Sequence, residues 1–271
     1  MHNGDDSAYY LSRGWSVVAI EANPAMAALG ERRFAREIAE GRLTILNYAI
    51  HHEAAELPFY LSENTVWSSF DPHIAGRHGM RVRTIPVRAR RFEDVLCQYG
   101  VPYYLKVDIE GLDGACLDAL LSVPPTDRPV YVSWESAPDA GRLVDLMASL
   151  GYDGFKFVRQ TDLHVGLGEA LHPRLARVCS ATLRRLGQSP IGRPPAHPEG
   201  SSGPFGEDLP SRWLSSRRAR AQVRRLLRST PTGEALAVWW DIHARRTRPL
   251  SVRSRWLRAP GAAAAGSTTQ A

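Results

Sequence analysis

Tyr104-Leu105-Lys106-Val107-Asp108-Ile109-Glu110-Gly111 decides how this chain is read. An apolar run ends in alternating charges and a glycine, so a buried strand breaks off into a turn where charge can reach solvent or a ligand. Upstream, Val17-Val18-Ala19-Ile20-Glu21 has the same form and leads through Ala22-Asn23 into a proline-started helix at Pro24. In doubly wound α/β sheets ligands bind outside the carboxyl ends of the strands, which makes both acids site candidates. An acid placed like Glu21 accepts hydrogen bonds from the ribose hydroxyls of a bound nucleoside. The plain alternatives are an acid favoured by a helix dipole at Glu21 and a helix N-terminal acid pair at Asp108 and Glu110.

Outward from these two runs the chain alternates short β-type and longer helical segments. Strands are expected over 16–20, 43–48, 82–87, 103–107, 130–134 and 155–159, with a possible edge strand over 57–61. Helices are expected over 5–12, 24–40, 91–99, 112–121 and 139–150, and Gly14, Gly41, Gly100 and Gly151 stand where such helices stop. The fold class is therefore α/β, a mostly parallel sheet with flanking helices. Residues 1–165 form the expected core. Residues 166–258 read as a helical, arginine-rich extension with a Pro/Gly-rich linker over 187–210 and helices over 211–228 and 232–246, and 259–271 as a disordered tail.

The 271 residues carry a net charge of +6, 44% hydrophobic residues and three scattered cysteines without CxxC spacing. An odd, scattered set suits a reducing compartment, and no apolar run approaches the roughly 18 to 20 residues of a membrane span, so a cytoplasmic protein is expected. The positive charge concentrates between Arg174 and Arg258. Such a run attracts nucleic acid, anionic lipid or acidic substrates, or is simply a solvated face.

Other site candidates follow from position. Asp108 could hold an amino group, serve as a base or ligate a cation, and Trp134-Glu135 ends the next strand on the same rim. Asn47 and Ala49 follow the second strand, and His2-Asn3-Gly4-Asp5 makes a turn into the first helix in which Gly4 lets backbone approach a ligand. Trp67 and Ser68 lie in a polar, aromatic loop suited to an acceptor, with packing against the sheet edge as the equal alternative. His51, His52, His73 and His78 show no metal-ligand spacing, and no metal is expected.

With these residues in hand, the sequence resembles the FkbM-type methyltransferases, a branch of the class I fold that uses S-adenosylmethionine. The resemblance rests on Val18-Ala19-Ile20-Glu21-Ala22-Asn23-Pro24 and on Leu105-Lys106-Val107-Asp108-Ile109-Glu110-Gly111, with Asn47-Tyr48-Ala49, the helix over 91–96 and Gly151-Tyr152 in matching order. It covers roughly residues 1 to 160. It implies a Rossmann-like sheet of the seven-strand type and methyl transfer from S-adenosylmethionine, usually to an oxygen of a small molecule, sugar or glycan. Under it, Glu21 with Ala22 and Asn23 holds the ribose side, Asn47 and Ala49 lie near adenine, and Asn3, Gly4 and Asp5 close the methionine side. Asp108 then lies near both methionine and acceptor, with Glu135 as a second catalytic acid and Trp67, Ser68, Glu110 and Trp134 toward the acceptor. The family's first strand, ending in an Asp-x-Gly run, is absent before His2, so a truncated first strand is expected.

Two other readings compete. One is a non-catalytic methyltransferase-like binding module, and the other a nucleic-acid methyltransferase that uses the arginine-rich half. A nicotinamide oxidoreductase would need a complete G-x-G-x-x-G turn, which the sequence does not contain.

Overall fold

The computed structural model describes residues 1–136, 138–159, 203–209, 212–228 and 240–247. In chain order the elements are α1 Asp5–Ser12, β1 Val17–Ile20, α2 Pro24–Arg33, α3 Ala35–Ala39, β2 Leu43–Leu46, β3 Ala49–Ile50, β4 Glu56–Ser62, α4 Pro72–Ala75 and β5 Val82–Arg90. There follow α5 Phe92–Tyr99, β6 Tyr104–Lys106, α6 Asp113–Asp118, β7 Tyr131–Glu135, α7 Ala140–Ser149, β8 Gly154–Arg159, α8 Ser216–Arg228 and β9 Trp240–Arg245. The expected βα alternation is present, and the four expected glycines end their helices with φ of 83°, 69°, 88° and 93°. The helix expected over 24–40 divides at Phe34, which leaves helical geometry at φ −114° and ψ 25° while its ring is buried.

The strands group as β1-β2, as β3-β5-β4 and as β6-β7-β9-β8. β1 and β2 are parallel, as are β6 and β7. Two expectations are corrected here. The 82–87 run is not a member of the parallel sheet: β5 runs antiparallel to β4 over seven paired residues and parallel to β3. Of the helix expected over 232–246, the described part is a strand over Trp240–Arg245, antiparallel to both β7 and β8, and 232–239 lie outside the described residues. Residues beyond the expected core limit at 165 thus supply an interior strand of the largest sheet. Asp241 and His243 alternate with Ile242 and Ala244, and both sets are buried. So short an alternation does not by itself separate a strand from a stretch of helix, and partners on both sides decide it here.

The two faces of that sheet differ. One presents Leu105, Val107, Val132, Trp134, Ile242, Ala244 and Phe155 to a core completed by α5, α6, α7 and α8. The other carries a polar row straight across the ladder, Lys106 opposite Ser133, Ser133 opposite His243 and His243 opposite Lys156. Phe205 covers the lower end of this polar face, stacking on Tyr104 with ring centroids 4.0 Å apart, and Lys156 donates to the carbonyls of Gly206 and Leu209. No strand lies between β1 and β6 among the described residues; the two line a common cavity instead. The expected tail at 259–271 and most of the expected linker at 187–210 fall outside the described residues.

Ile242 is fully buried in β9. Ile242→Ala should lower stability by about 2–5 kcal/mol in urea unfolding, whereas a residue on a solvated helix would give about 0.5 kcal/mol or less.

Candidate functional site

The cavity between β1 and β6 has a volume of about 490 Å³ and runs along both strands, from Trp15 and Tyr103 to Glu21 and Asp108. Glu21 closes the β1 side. One of its oxygens, Oε2, accepts from the backbone nitrogens of Met1 at 3.1 Å and His2 at 2.7 Å, and Oε1 accepts from Asn23 N–H at 2.8 Å. The carboxylate is thereby fixed by three backbone donors, with acceptor capacity left on Oε1. The Met1 nitrogen also reaches the Ile20 carbonyl at 2.7 Å.

Across the cavity, Lys106 projects from β6 and lies 2.8 Å from both Asp108 and Asp6 of α1. Burial works against the lysine's charge, yet Asp108, Asp6 and Asp241 outweigh it and hold its pKa well above the ordinary value. The lysine in turn lowers the Asp108 pKa against desolvation, so Asp108 stays ionised.

The turn after Asp108 is built for close packing. Glu110 adopts φ 51° and Gly111 φ 104°, and a Cβ on Gly111 would stand 2.7 Å from Ile74 of α4. A left-handed conformation costs a residue with a Cβ of order 1 kcal/mol, and here it turns the Glu110 side chain to Arg77 at 3.0 Å and its carbonyl to the Ser69 hydroxyl at 2.7 Å. Arg77 also lies over the Trp67 ring, 4.5 Å from its centroid. Burial raises the Glu110 pKa to about 7, with Arg77 opposing. Asp113, at the start of α6, brackets the rim by accepting Ile109 N–H at 3.0 Å and Glu135 N–H at 3.2 Å; burial and Asp108 push it up to about 7.

Glu135 ends β7 and faces this group of acids. Desolvation, then repulsion from Asp108, Glu110, Asp113 and Asp241, raises its pKa to about 9. One rim thus holds an ionised Asp108 and a protonated Glu135, the divergent pair from which acid and base roles are made. Carboxylate oxygens of Asp108, Glu110 and Glu135 come within 4.8 Å of one another, a spacing at which carboxylates crowd each other's charge; among the described residues no histidine joins such a group.

The structure brings some sequence candidates together and separates others. Asn3, Glu21, Ala22, Ala49, Trp67, Ser68, Asp108, Glu110 and Glu135 all line the cavity. Gly4 and Asp5 do not: a Cβ on Gly4 would fall 2.5 Å from the Phe34 ring, and Asp5 is tied to Arg33 at 2.8 Å and to Asn3. Both shape the turn from behind. Asn23 is buried as the N-cap of α2, donating nothing to the cavity and accepting Ala25 N–H. Asn47 donates to the Glu21 carbonyl at 2.9 Å, outside the cavity lining. Trp134 is corrected as an acceptor contact, because it is 1% exposed and sits in the apolar core. Its neighbour Glu135 points the other way, as alternate strand residues must. Asp6, Arg77 and Asp113 were missed; Asp6 and Asp113 sit in first helical turns, where acids are expected without a site, and Arg77 meets Glu110 only through tertiary packing.

Residues 1–153 match the profile of the Methyltransferase FkbM domain. The chain belongs to the FkbM methyltransferase family. No curated protein and no solved structure matches it. Among the described residues no helix is long and apolar enough to cross a membrane.

Because Glu135 is raised when folded, the folded state binds more protons than the unfolded one, and stability falls as pH climbs from the unfolded value near about 4.3 toward 9. Glu135→Gln should therefore be more stable than the parent at pH 8, with the gap in urea midpoint closing at pH 5. A gap that does not depend on pH would contradict the crowding of acids at this rim.

Proposed function

We propose that this FkbM-family chain transfers a methyl group from S-adenosylmethionine to a hydroxyl of a small molecule, sugar or glycan. The observation that carries the reading is the unequal pair at the cavity mouth: Asp108 held ionised by Lys106, beside Glu135 with its pKa raised to about 9. The lining suits the cofactor. Ile20, Tyr48, Ala49, Ile50 and Phe92 offer apolar wall for a purine, and Glu21 retains acceptor capacity for a ribose hydroxyl. The carboxylates around Asp108 complement a cationic sulfonium and ammonium.

When bound, S-adenosylmethionine supplies an already activated electrophilic methyl carbon, so the protein's part is alignment and proton transfer. Glu135, once ionised, accepts the acceptor hydroxyl's proton as the oxygen attacks. Its raised pKa makes it a better proton acceptor than Asp108, which Lys106 keeps weakly basic. Asp108 contributes fixed negative charge facing the cationic end of the cofactor, while Glu110 and Trp67, joined through Arg77, form the wall on which an acceptor would rest.

Isothermal calorimetry and turnover with S-adenosylmethionine test this. Glu135→Gln should reduce turnover by about 10²–10⁴-fold with little change in cofactor affinity. Wild-type turnover should rise with pH as Glu135 ionises, and that rise should vanish in the variant. Glu21→Ala should weaken cofactor binding at least tenfold. Absence of binding heat with the folded wild type would refute the cofactor assignment.

A further inference from the structure

The helix α8, Ser-Arg-Arg-Ala-Arg-Ala-Gln-Val-Arg-Arg-Leu-Leu-Arg, carries six arginines and no acid in thirteen residues. It is no part of the cavity described above. Ala219 and Val223 are buried against α7, and Arg220 pairs with Asp145 of that helix. Arg217, Arg218, Arg224, Arg225 and Arg228 are exposed and make no ion pair among the described residues.

At 100° and 1.5 Å per residue these five fall into two rows. Arg217, Arg224 and Arg228 form one, spaced by about 10 and 6 Å along the axis, and Arg218 and Arg225 form the other, about 90° around the helix. Arg224 and Arg228 are one turn apart with like charge, as are Arg225 and Arg228, an arrangement that opposes helix formation until a counter-charge is supplied. Val223 approaches Gly141 at the start of α7 within 4.0 Å of a Cβ position there, so the rows run toward the end of the sheet where Glu135 lies.

We propose that the outer face of α8 docks the phosphate backbone of duplex nucleic acid, without reading its sequence. The occupant is argued from the shape of the charge. A membrane-surface helix inserts an apolar face, but the apolar face of α8 is already used against α7, and Leu227 alone does not replace it. Two rows a quarter-turn apart match a groove walled by two phosphate strands, one row to each strand. The outer face has no aromatic residue for base stacking, which leaves guanidinium contacts to phosphate as its chemistry. The surface stands apart from the methyl-transfer reading and does not need it.

The test is fluorescence anisotropy of a labelled 20-base-pair duplex with the full chain, titrated across salt. Each phosphate contact contributes a slope of about −0.9 in log affinity against log salt. Arg217→Gln/Arg224→Gln/Arg228→Gln should shallow the slope by about 2.7 and Arg218→Gln/Arg225→Gln by about 1.8, each with at least tenfold weaker binding at low salt. Lysine at all five positions should retain most of the slope, and circular dichroism checks that the helix persists. Absence of duplex binding at low salt, binding that survives both glutamine variants, or arginine-dependent binding to phosphatidylserine vesicles in place of the duplex would each overturn the proposal.

Discussion

Lys106 is the interaction on which the rest of the site depends. Its ammonium sits on the polar face of the largest sheet and bridges Asp6 of α1 to Asp108 at the end of β6. Those two contacts tie α1 to the sheet and hold the Asp108 pKa down, while the other carboxyls on the rim are raised first by their own burial. Without a cation there, Asp108 would lose what holds its pKa down and join Glu110, Asp113 and Glu135, all raised by burial and by neighbouring charge. The half-buried lysine thus leaves one rim with Asp108 held low, Glu110 and Asp113 at about 7 and Glu135 at about 9. That division gives the site distinct chemical roles at neutral pH.

The sheet makes this possible by keeping its faces unequal. Trp134 and Ile242 fill an apolar core with Leu143, Val144 and Met147 of α7, while Ser133 and His243 stand in a polar row that continues to Lys106 and Lys156. Burial first, then the positive charges of Lys106 and Lys156, depress His243 to about 3, so it adds no charge to the row. The acids at the carboxyl ends are therefore reached by polar side chains from below and by the cavity from above.

Arg77 shows how a second level of order is added by packing. It joins the left-handed turn at Glu110 to Trp67, two features about forty residues apart that have no local reason to meet. Gly111 allows α4 to press against that turn, since any Cβ there would collide with Ile74. This side of the rim is in that sense a tertiary product, assembled from a short helix, a loop and a strand end.

By itself the sequence determined the α/β class, the position of most strands and helices, and the two carboxylates that open the binding region. These are local matters: an apolar run that stops at a charge and a glycine marks a strand end wherever the strand is placed. It did not determine that Trp240–Arg245 is a strand, that β5 leaves the parallel sheet, or that Trp134 faces the core while Glu135 faces the cavity. Nor did it reveal Asp6, Arg77 and Asp113. Each of those depends on which neighbouring element is present, because the short alternation of β9 becomes a strand only between β7 and β8, and an acid in a first helical turn looks the same whether or not a lysine from another strand reaches it. Only the tertiary structure brought Lys106 to Asp6 and Asp108, and only it buried Glu110, Asp113 and Glu135 beside them, which is what spreads the acidities of the rim.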